Sequence, residues 1–301
     1  MDNKKYCVLS LSGGLDSSTL LLHLINKNYE VCAVSFDYGQ KHKVELEKAK
    51  ELVEYINETF KDNPFFIKIK HQVITLDGLS NLLVSGLVDN DSMELKKGHY
   101  AHENALTTVV PNRNAIFASI TYAIALSIVK KTGEKCDIAL GTHMGDFDNL
   151  RQDGIYPDCS EEFRVALEHA FKIGNWDSEK VDYYAPFNST NKTGVLREGF
   201  ELCKLLDLDY KEIYSRTNTS YNPILINNTN TYYSDYKTGA SIERIMSFFM
   251  LGAEDPLQYV EDDGTLVPWE YVKNYALQIE DEFKMGKFLG EQAVLIKVSD
   301  D

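Results

Sequence analysis

The 301-residue sequence predicts an α/β fold built on a parallel sheet, with a smaller, mainly helical C-terminal part. Three features carry that expectation. An apolar run ends in a pair of glycines and passes into a helical pattern. Strand-like and helix-like stretches then alternate through the first half. The chain later ends its ordered pattern on an amphipathic helix instead of a further strand.

Taken in order, Tyr6 to Leu11 is a short apolar strand, Gly13 and Gly14 turn the chain, and Ser17 to Leu24 reads as a helix with Leu20, Leu21 and Leu24 on one side. Val31 to Phe36 is a second strand, followed by a Lys- and Glu-rich amphipathic helix from Lys43 to Glu58. Phe65 to Ile69 and Val73 to Leu76 read as extended. Ala115 to Val129 is apolar enough for a buried helix. Ile138 to Gly141 is a short strand whose end is expected to meet the active site, because open parallel sheets bind ligands at the carboxyl ends of their strands.

Two stretches break the alternation. Gly78 to Ala105 is mixed and polar, as a lid or substrate loop would be. Asn218 to Thr231, with Asn227, Asn228 and Asn230, reads as a loop, although Tyr232 and Tyr233 beside it point to some packing. The segment from Pro268 to Lys284 is a helix that places Trp269, Val272, Tyr275, Ala276 and Ile279 near a single face. There is no internal repeat or low-complexity linker. The domain boundary is placed at about residue 185, giving a nucleotide-binding domain over 1–185 and a C-terminal helical region over 186–301.

Hydrophobic residues make up 44 % and charged residues 26 % of the chain, which excludes a disordered or fibrous class. The net charge of −15 argues against a surface that neutralises many phosphates, so direct nucleic-acid binding is not expected, while a local basic pocket stays open. Met1 to Lys5 is polar, and Ser10, Ser12 and the glycines interrupt the apolar run before it gains signal-peptide character. No stretch reaches about 18 uncharged apolar residues, so no membrane association is expected and the location expected is cytoplasmic. Cys7, Cys32, Cys136, Cys159 and Cys203 are odd in number and never paired as Cys-x-x-Cys, which fits reduced thiols and gives no support for a cysteine zinc site.

The motif with the clearest chemistry is Ser12-Gly13-Gly14-Leu15-Asp16-Ser17-Ser18, flanked by Leu11 and Thr19. Two glycines after a strand let backbone N–H groups approach an anion, and the following helix adds free amides and the positive end of its dipole. The loop lacks the Lys-Ser or Lys-Thr ending of a Walker motif and the three-glycine spacing of a dinucleotide fingerprint. It fits ATP cleavage between the α- and β-phosphates. Asp16 is placed to hold Mg²⁺ on the pyrophosphate leaving group, and Ser12, Ser17 and Ser18 to donate hydrogen bonds. The alternative is a plain glycine turn with Ser17 as helix cap.

The second strand ends in Ser35-Phe36-Asp37-Tyr38-Gly39-Gln40, with His42 and Glu45 just beyond. Together with the glycine loop, this run resembles the 7-cyano-7-deazaguanine synthase (QueC) family of PP-loop ATP pyrophosphatases, whose core is Rossmann-like. Val110-Pro111-Asn112-Arg113-Asn114, and Tyr156-Pro157-Asp158-Cys159 followed by Phe163, agree with the family in order. The resemblance implies that ATP adenylates the carboxylate of 7-carboxy-7-deazaguanine. Ammonia then gives an amide, and a second activation dehydrates the amide to a nitrile. It also implies a homodimer.

Against that reaction, Leu11 to Thr19 and Phe36 are expected to bind ATP. Tyr38, Gln40, His42, Glu45, Arg113, Asn114 and Asp158 are expected to bind the second substrate, and Asp16, Arg113 and Lys192 to act catalytically. Arg113 can clamp a phosphate or carboxylate bidentately, or form a surface ion pair. Asn114 and Asp158 can read a purine-like edge, or cap helices. Lys192 can balance charge on the α-phosphate, or be solvated. His42 and Glu45, one helical turn apart, can orient each other near the ligand, or be an exposed pair.

The last third departs from the family, which carries a cysteine zinc site there. Alignment puts Ser220, Asp235, Thr238 and Ser241 at the four cysteine positions, a poor ligand set for Zn²⁺, so no zinc is expected. Packing of Ile242, Ile245, Met246, Phe248 and Phe249, or a partner subunit, is expected to hold the segment instead. Asn112 stands where the family has glycine, although Asn tolerates left-handed backbone. Asp148 to Gly154, with Arg151, lengthens a spacing that is short in the family, and the chain runs on beyond Asp255. Three readings follow: a nitrile synthase, a QueC-like ligase of an antiviral system that passes the activated carboxylate to a protein amine, and an inactive nucleotide-binding scaffold.

Overall fold

The computed structural model describes residues 4–88, 97–98, 107–143, 156–226 and 231–284. The 148–154 segment, most of the stretch after Val88 up to residue 106, residues 227–230 and the chain after Lys284 lie outside the described residues.

The first half alternates strand and helix: β1 (Lys5–Ser10), α1 (Leu15–Asn26), β2 (Tyr29–Asp37), α2 (Val44–Thr59), β3 (Lys70–Thr75), α3 (Arg113–Thr132), β4 (Cys136–Leu140), α4 (Glu161–Gly174) and β5 (Tyr183–Tyr184). The five strands form one sheet in the order β3-β2-β1-β4-β5, with every pair parallel. Strand order therefore reverses between β1 and β4. That places a crevice beyond their carboxyl ends, where doubly wound sheets take ligands.

Period-2 alternation along β1 sorts the core. Cys7, Leu9 and Leu11 point to one face, where α1, α2 and the later helix α5 (Lys192–Leu205) supply Leu20, Leu24, Leu52, Ile56, Val195 and Leu202. Val8 points to the other, where Tyr122, Ala125 and Val129 of α3 meet Val34 and Ile138. By length and composition α3 would suffice to cross a membrane. Here it covers the sheet and burials along it include Ala118 and Thr121. The first of the two cores continues through α5, past residue 185.

The rest comprises α5, the short α6 (Tyr210–Tyr214), a β6–β7 hairpin (Ile224–Ile226 with Thr231–Tyr233), α7 (Gly239–Met250), a β8–β9 pair (Tyr259–Val260 with Leu266–Val267) and α8 (Trp269–Lys284). Val272, Ala276 and Ile279 of α8 pack on Tyr236, Ile242, Ile245 and Tyr259. The apolar face expected of the 268–284 helix is the face that is buried.

Several boundaries differ from expectation. The first helix begins at Leu15, two residues before Ser17, and its N-cap is Gly14, so Ser17 does not cap it. Phe65 to Ile69 is not a strand; pairing with β2 begins at Lys70. Asn57 occupies that edge instead, its side-chain amide bonding both the N–H and the C=O of Ile69 at 2.8 and 3.0 Å. The Asn-rich stretch carries strand β6 and closes onto β7. Helices α4 and α5 were not anticipated, although each has a side-chain cap: Ser160 accepts from the Phe163 N–H, and Asn191 from that of Gly194.

Candidate active site

The glycine turn works because Gly13 has a left-handed backbone, φ +87°, and no side chain: a Cβ there would lie 2.1 Å from the Glu45 carbonyl oxygen of α2. Gly141, just past β4, allows a similar approach, since its Cβ would sit 2.8 Å from the Ser17 amide nitrogen. The turn is braced internally. Ser12 Oγ lies 2.9 Å from Ser17 Oγ and accepts from the Gly14 N–H at 3.2 Å. The Asn218 N–H donates to the Gly13 carbonyl at 2.9 Å, tying the C-terminal part to the turn.

With α1 starting at Leu15, the amides of Leu15, Asp16 and Ser17 are the ones that lack intrahelical partners. The Ser18 N–H already donates to the Gly14 carbonyl at 3.1 Å. Ser18 and Thr19 point into the core, both fully buried, and Thr19 Oγ1 meets Leu15 O at 3.0 Å and Tyr214 OH at 2.8 Å. Of the expected ATP-contacting residues, Ser18 and Thr19 thus face away from the crevice, while Leu11, Ser12, Gly14, Leu15, Asp16, Ser17 and Phe36 line it. Phe36 stacks on Phe117 of α3, centroids 4.1 Å apart and rings 7° from parallel.

All seven residues expected at the second substrate line the same cavity. Asn112, at the start of α3, adopts the left-handed conformation with φ 57°, which its residue type tolerates, and the next two residues, Arg113 and Asn114, face the crevice. Arg113 Nη1 donates to Tyr38 OH at 3.4 Å. Gln40 lines the cavity and also has a structural part. Its amide accepts from the Tyr38 N–H at 3.0 Å and donates to the Phe36 carbonyl at 2.9 Å, so it braces the strand end that carries both aromatic rings.

His42 is buried and Glu45 is partly buried beside it, with Nε2 and Oε2 3.4 Å apart, so they are not an exposed pair. Burial, with the Arg113 charge beside it, pushes His42 down to about 3; burial pushes Glu45 up to about 8, against the opposing pull of Arg113 and a hydrogen bond from Asn218. Near neutrality both side chains are therefore uncharged. Burial likewise raises the Asp158 carboxyl, with Arg113 opposing. Among the buried side-chain atoms that have no hydrogen-bond partner within the described residues, Asp16 Oδ1 and His42 Nδ1 belong to residues that line the cavity.

Lys192 opens α5 from across the crevice, with its ammonium 3.7 Å from Asp16 Oδ2 and 2.6 Å from Glu243 Oε2. His143, buried just past β4, sits 3.7 Å from the other Asp16 oxygen. Glu243 and His143 were not singled out from the sequence. His143 had one signal: it follows Gly141 at the strand end expected to meet the site. Glu243 had none, since it approaches from α7, in the last third of the chain, which departs from the family.

The four positions aligned with zinc cysteines do converge, on each other. Asp235 Oδ2 accepts from the hydroxyls of Ser220 at 2.5 Å, Thr238 at 2.9 Å and Ser241 at 3.0 Å. Asp235 Oδ1 accepts from the N–H groups of Lys237 and Thr238 at 2.7 and 2.6 Å. All four residues are buried. Among the described residues no cluster of three or more His, Cys, Asp or Glu side chains could hold a metal ion.

A parallel sheet with a glycine turn feeding free helix amides, and a cavity at its switch point holding both cationic and carboxylate side chains, define an ATP-using enzyme of the PP-loop class. The family model described as "Queuosine biosynthesis protein QueC" matches residues 6–231. The chain is 32% identical over 255 residues to 7-cyano-7-deazaguanine synthase 2 of Colwellia psychrerythraea, covering 85% of this chain and 99% of that one. It is 34% identical over 252 residues to the 7-cyano-7-deazaguanine synthase of Hahella chejuensis, covering 84% and 92%. The chain belongs to the QueC family. Among solved structures, NMN synthetase from Francisella tularensis is similar over 94% of this chain and 87% of that one, with a TM-score of 0.37 and 12% identity.

Proposed function

We propose that this protein uses ATP to activate the carboxylate of 7-carboxy-7-deazaguanine, forming AMP and pyrophosphate, and lets ammonia displace the AMP. The observation that carries this reading is the shared cavity: the free amides of Leu15 to Ser17 open onto the space that Arg113, Asn114 and Asp158 also line. The substrate carboxylate, oriented by Arg113, attacks the α-phosphorus and pyrophosphate leaves toward the helix amides. Ammonia then attacks the acyl carbon, AMP departs, and the amide is activated in the same way to yield the nitrile. Asn114 and Asp158 are assigned to the purine-like edge, and Lys192 to the α-phosphate.

The residues fit a magnesium ion held largely by phosphates, since Mg²⁺ commonly takes one or two carboxylates and Asp16 Oδ1 is buried with no hydrogen-bond partner among the described residues. When bound, that ion would offset charge on the leaving pyrophosphate. The test is pyrophosphate release with 7-carboxy-7-deazaguanine, with and without ammonium, and mass analysis of the product. Release that depends on the acid, with nitrile formed when ammonium is present, supports the assignment. Release without nitrile turns the reading toward transfer to another amine, and no release with any acid toward a nucleotide-binding scaffold.

A further inference from the structure

We propose that Glu243 is a positioning residue for the adenylation site: from α7 its carboxylate holds the Lys192 ammonium beside Asp16, where an incoming phosphate meets it. The inference rests on the reading of Lys192 given above.

Lys192 is badly placed for a cation left alone. Its side chain is only 7% exposed, and it occupies the first position of α5, where the helix dipole is positive. A buried ammonium needs a close anion to stay in place. Asp16, at 3.7 Å, is beyond hydrogen-bond reach, whereas Glu243, at 2.6 Å, is at the distance of a charge-assisted hydrogen bond. Glu243 is thus the closer anchor of the two.

The anchor is itself fixed. Thr193 Oγ1 meets Ser247 Oγ at 3.3 Å, one helical turn along α7 from Glu243, so α5 and α7 are tied at two places. The start of α7 is held by Asp235, which bonds both Thr238 and Ser241. Arg244, the neighbour of Glu243, is directed elsewhere, toward Asp255. A line of contacts therefore runs from the Asp235 cluster through α7 and Glu243 to Lys192 and Asp16. In this chain the C-terminal part sets the place of a charge in the ATP site.

Competitive acetylation with acetic anhydride at fixed pH, read at Lys192 by mass spectrometry, reports how accessible its amine is without any turnover. Glu243→Gln should raise Lys192 labelling at least about threefold, because an amine released from the carboxylate that confines it is more accessible to the reagent. Glu243→Asp, which keeps the charge one methylene further back, should fall between the two. In turnover assays Glu243→Gln should lower kcat at least about tenfold while KM for ATP changes less than about threefold, and adding it to Lys192→Ala should cost nothing more. Unchanged labelling, an unchanged kcat in a variant with altered labelling, or additive losses in the double variant would each overturn the proposal. If the parent shows no AMP-forming turnover, the functional reading fails on its own, and the labelling still decides whether Glu243 places Lys192.

Discussion

Arg244 and Asp255 face each other inside the C-terminal part as a bidentate pair, with Nε 2.6 Å from Oδ2 and Nη2 2.9 Å from Oδ1, and both side chains essentially without exposure. The other donors of the guanidinium reach Thr217 Oγ1, Thr219 Oγ1 and the Tyr214 carbonyl, so all five N–H groups are used. Tyr259 completes the carboxylate by donating to Asp255 Oδ2 at 2.7 Å. The arginine joins α7 to the segment that follows α6 and to the chain ahead of β8.

Removing either partner leaves the other charge buried. Asp255→Ala is expected to destabilise the fold by about 3–5 kcal/mol. Arg244→Lys should destabilise as well, because an ammonium offers three donors and no planar fork. Thermal and urea unfolding check both, and a Tm within about one degree of the parent for Asp255→Ala would show that the pair does not hold this region.

The Asp235 cluster makes a separate claim about metal. Three hydroxyls and two backbone N–H groups satisfy its carboxylate, which leaves no oxygen free for a cation. Strong chelators should leave the Tm unchanged, and purified protein should contain no stoichiometric zinc. Asp235→Ala, by contrast, should cost about 2–4 kcal/mol, since three buried hydroxyls and two N–H groups lose their acceptor at once. One zinc per chain, lost together with the fold on chelation, would refute the claim.

How much of this was legible in the sequence depended on whether the signal was local. The glycine pair, the strands around it and the apolar face of α8 all follow from residue type at short spacing, and each lies where the pattern put it. Asn112 was readable for the same reason, a side chain suited to a left-handed backbone. What failed to show was non-local. Ser18 and Thr19 sit next to the glycine loop in sequence, but their side chains turn into the core, and the partner of Thr19 is Tyr214, 195 positions away. Glu243 reaches Lys192 across 51 positions, which no short window of sequence displays, whereas the positions around Asp235 could be grouped by alignment but not the hydrogen bonds they make.

The glycine turn gives a steric prediction. Gly13→Ala must accommodate a Cβ 2.1 Å from a backbone oxygen of α2 at a φ of +87°, and backbone cannot swing aside as a side chain could. ATP affinity should fall at least about tenfold, measured by calorimetry. Asp16→Asn, which keeps the shape of the turn, should instead nearly abolish ATP-to-AMP turnover with the fold intact. Turnover within about threefold of the parent, worth under roughly 0.7 kcal/mol, would remove Asp16 from its assigned place.

The His42–Glu45 pair beside Arg113 predicts an opposed pH dependence. Glu45, raised to about 8 in the folded chain, ionises first in the unfolded chain, near its ordinary 4.5. Between those values the unfolded state binds fewer protons, so Glu45 contributes a loss of stability as pH rises, at most about 1.4 kcal/mol per pH unit. His42 runs the other way. Lowered to about 3 from its ordinary 6.5, it contributes stability that is complete above 6.5 and lost as pH falls toward 3. From about 4.5 to 6.5 the two slopes oppose each other; from 6.5 to 8 only the Glu45 loss remains. Arg113 and Asn218, the other groups that act on Glu45, do not titrate in this range. Glu45→Gln removes the carboxyl and keeps its shape, so its Tm relative to the parent should climb steadily from pH 5 to pH 8. Thermal melts of the two proteins across that range decide the matter: a difference that stays constant with pH would mean that Glu45 is not held neutral in the folded protein.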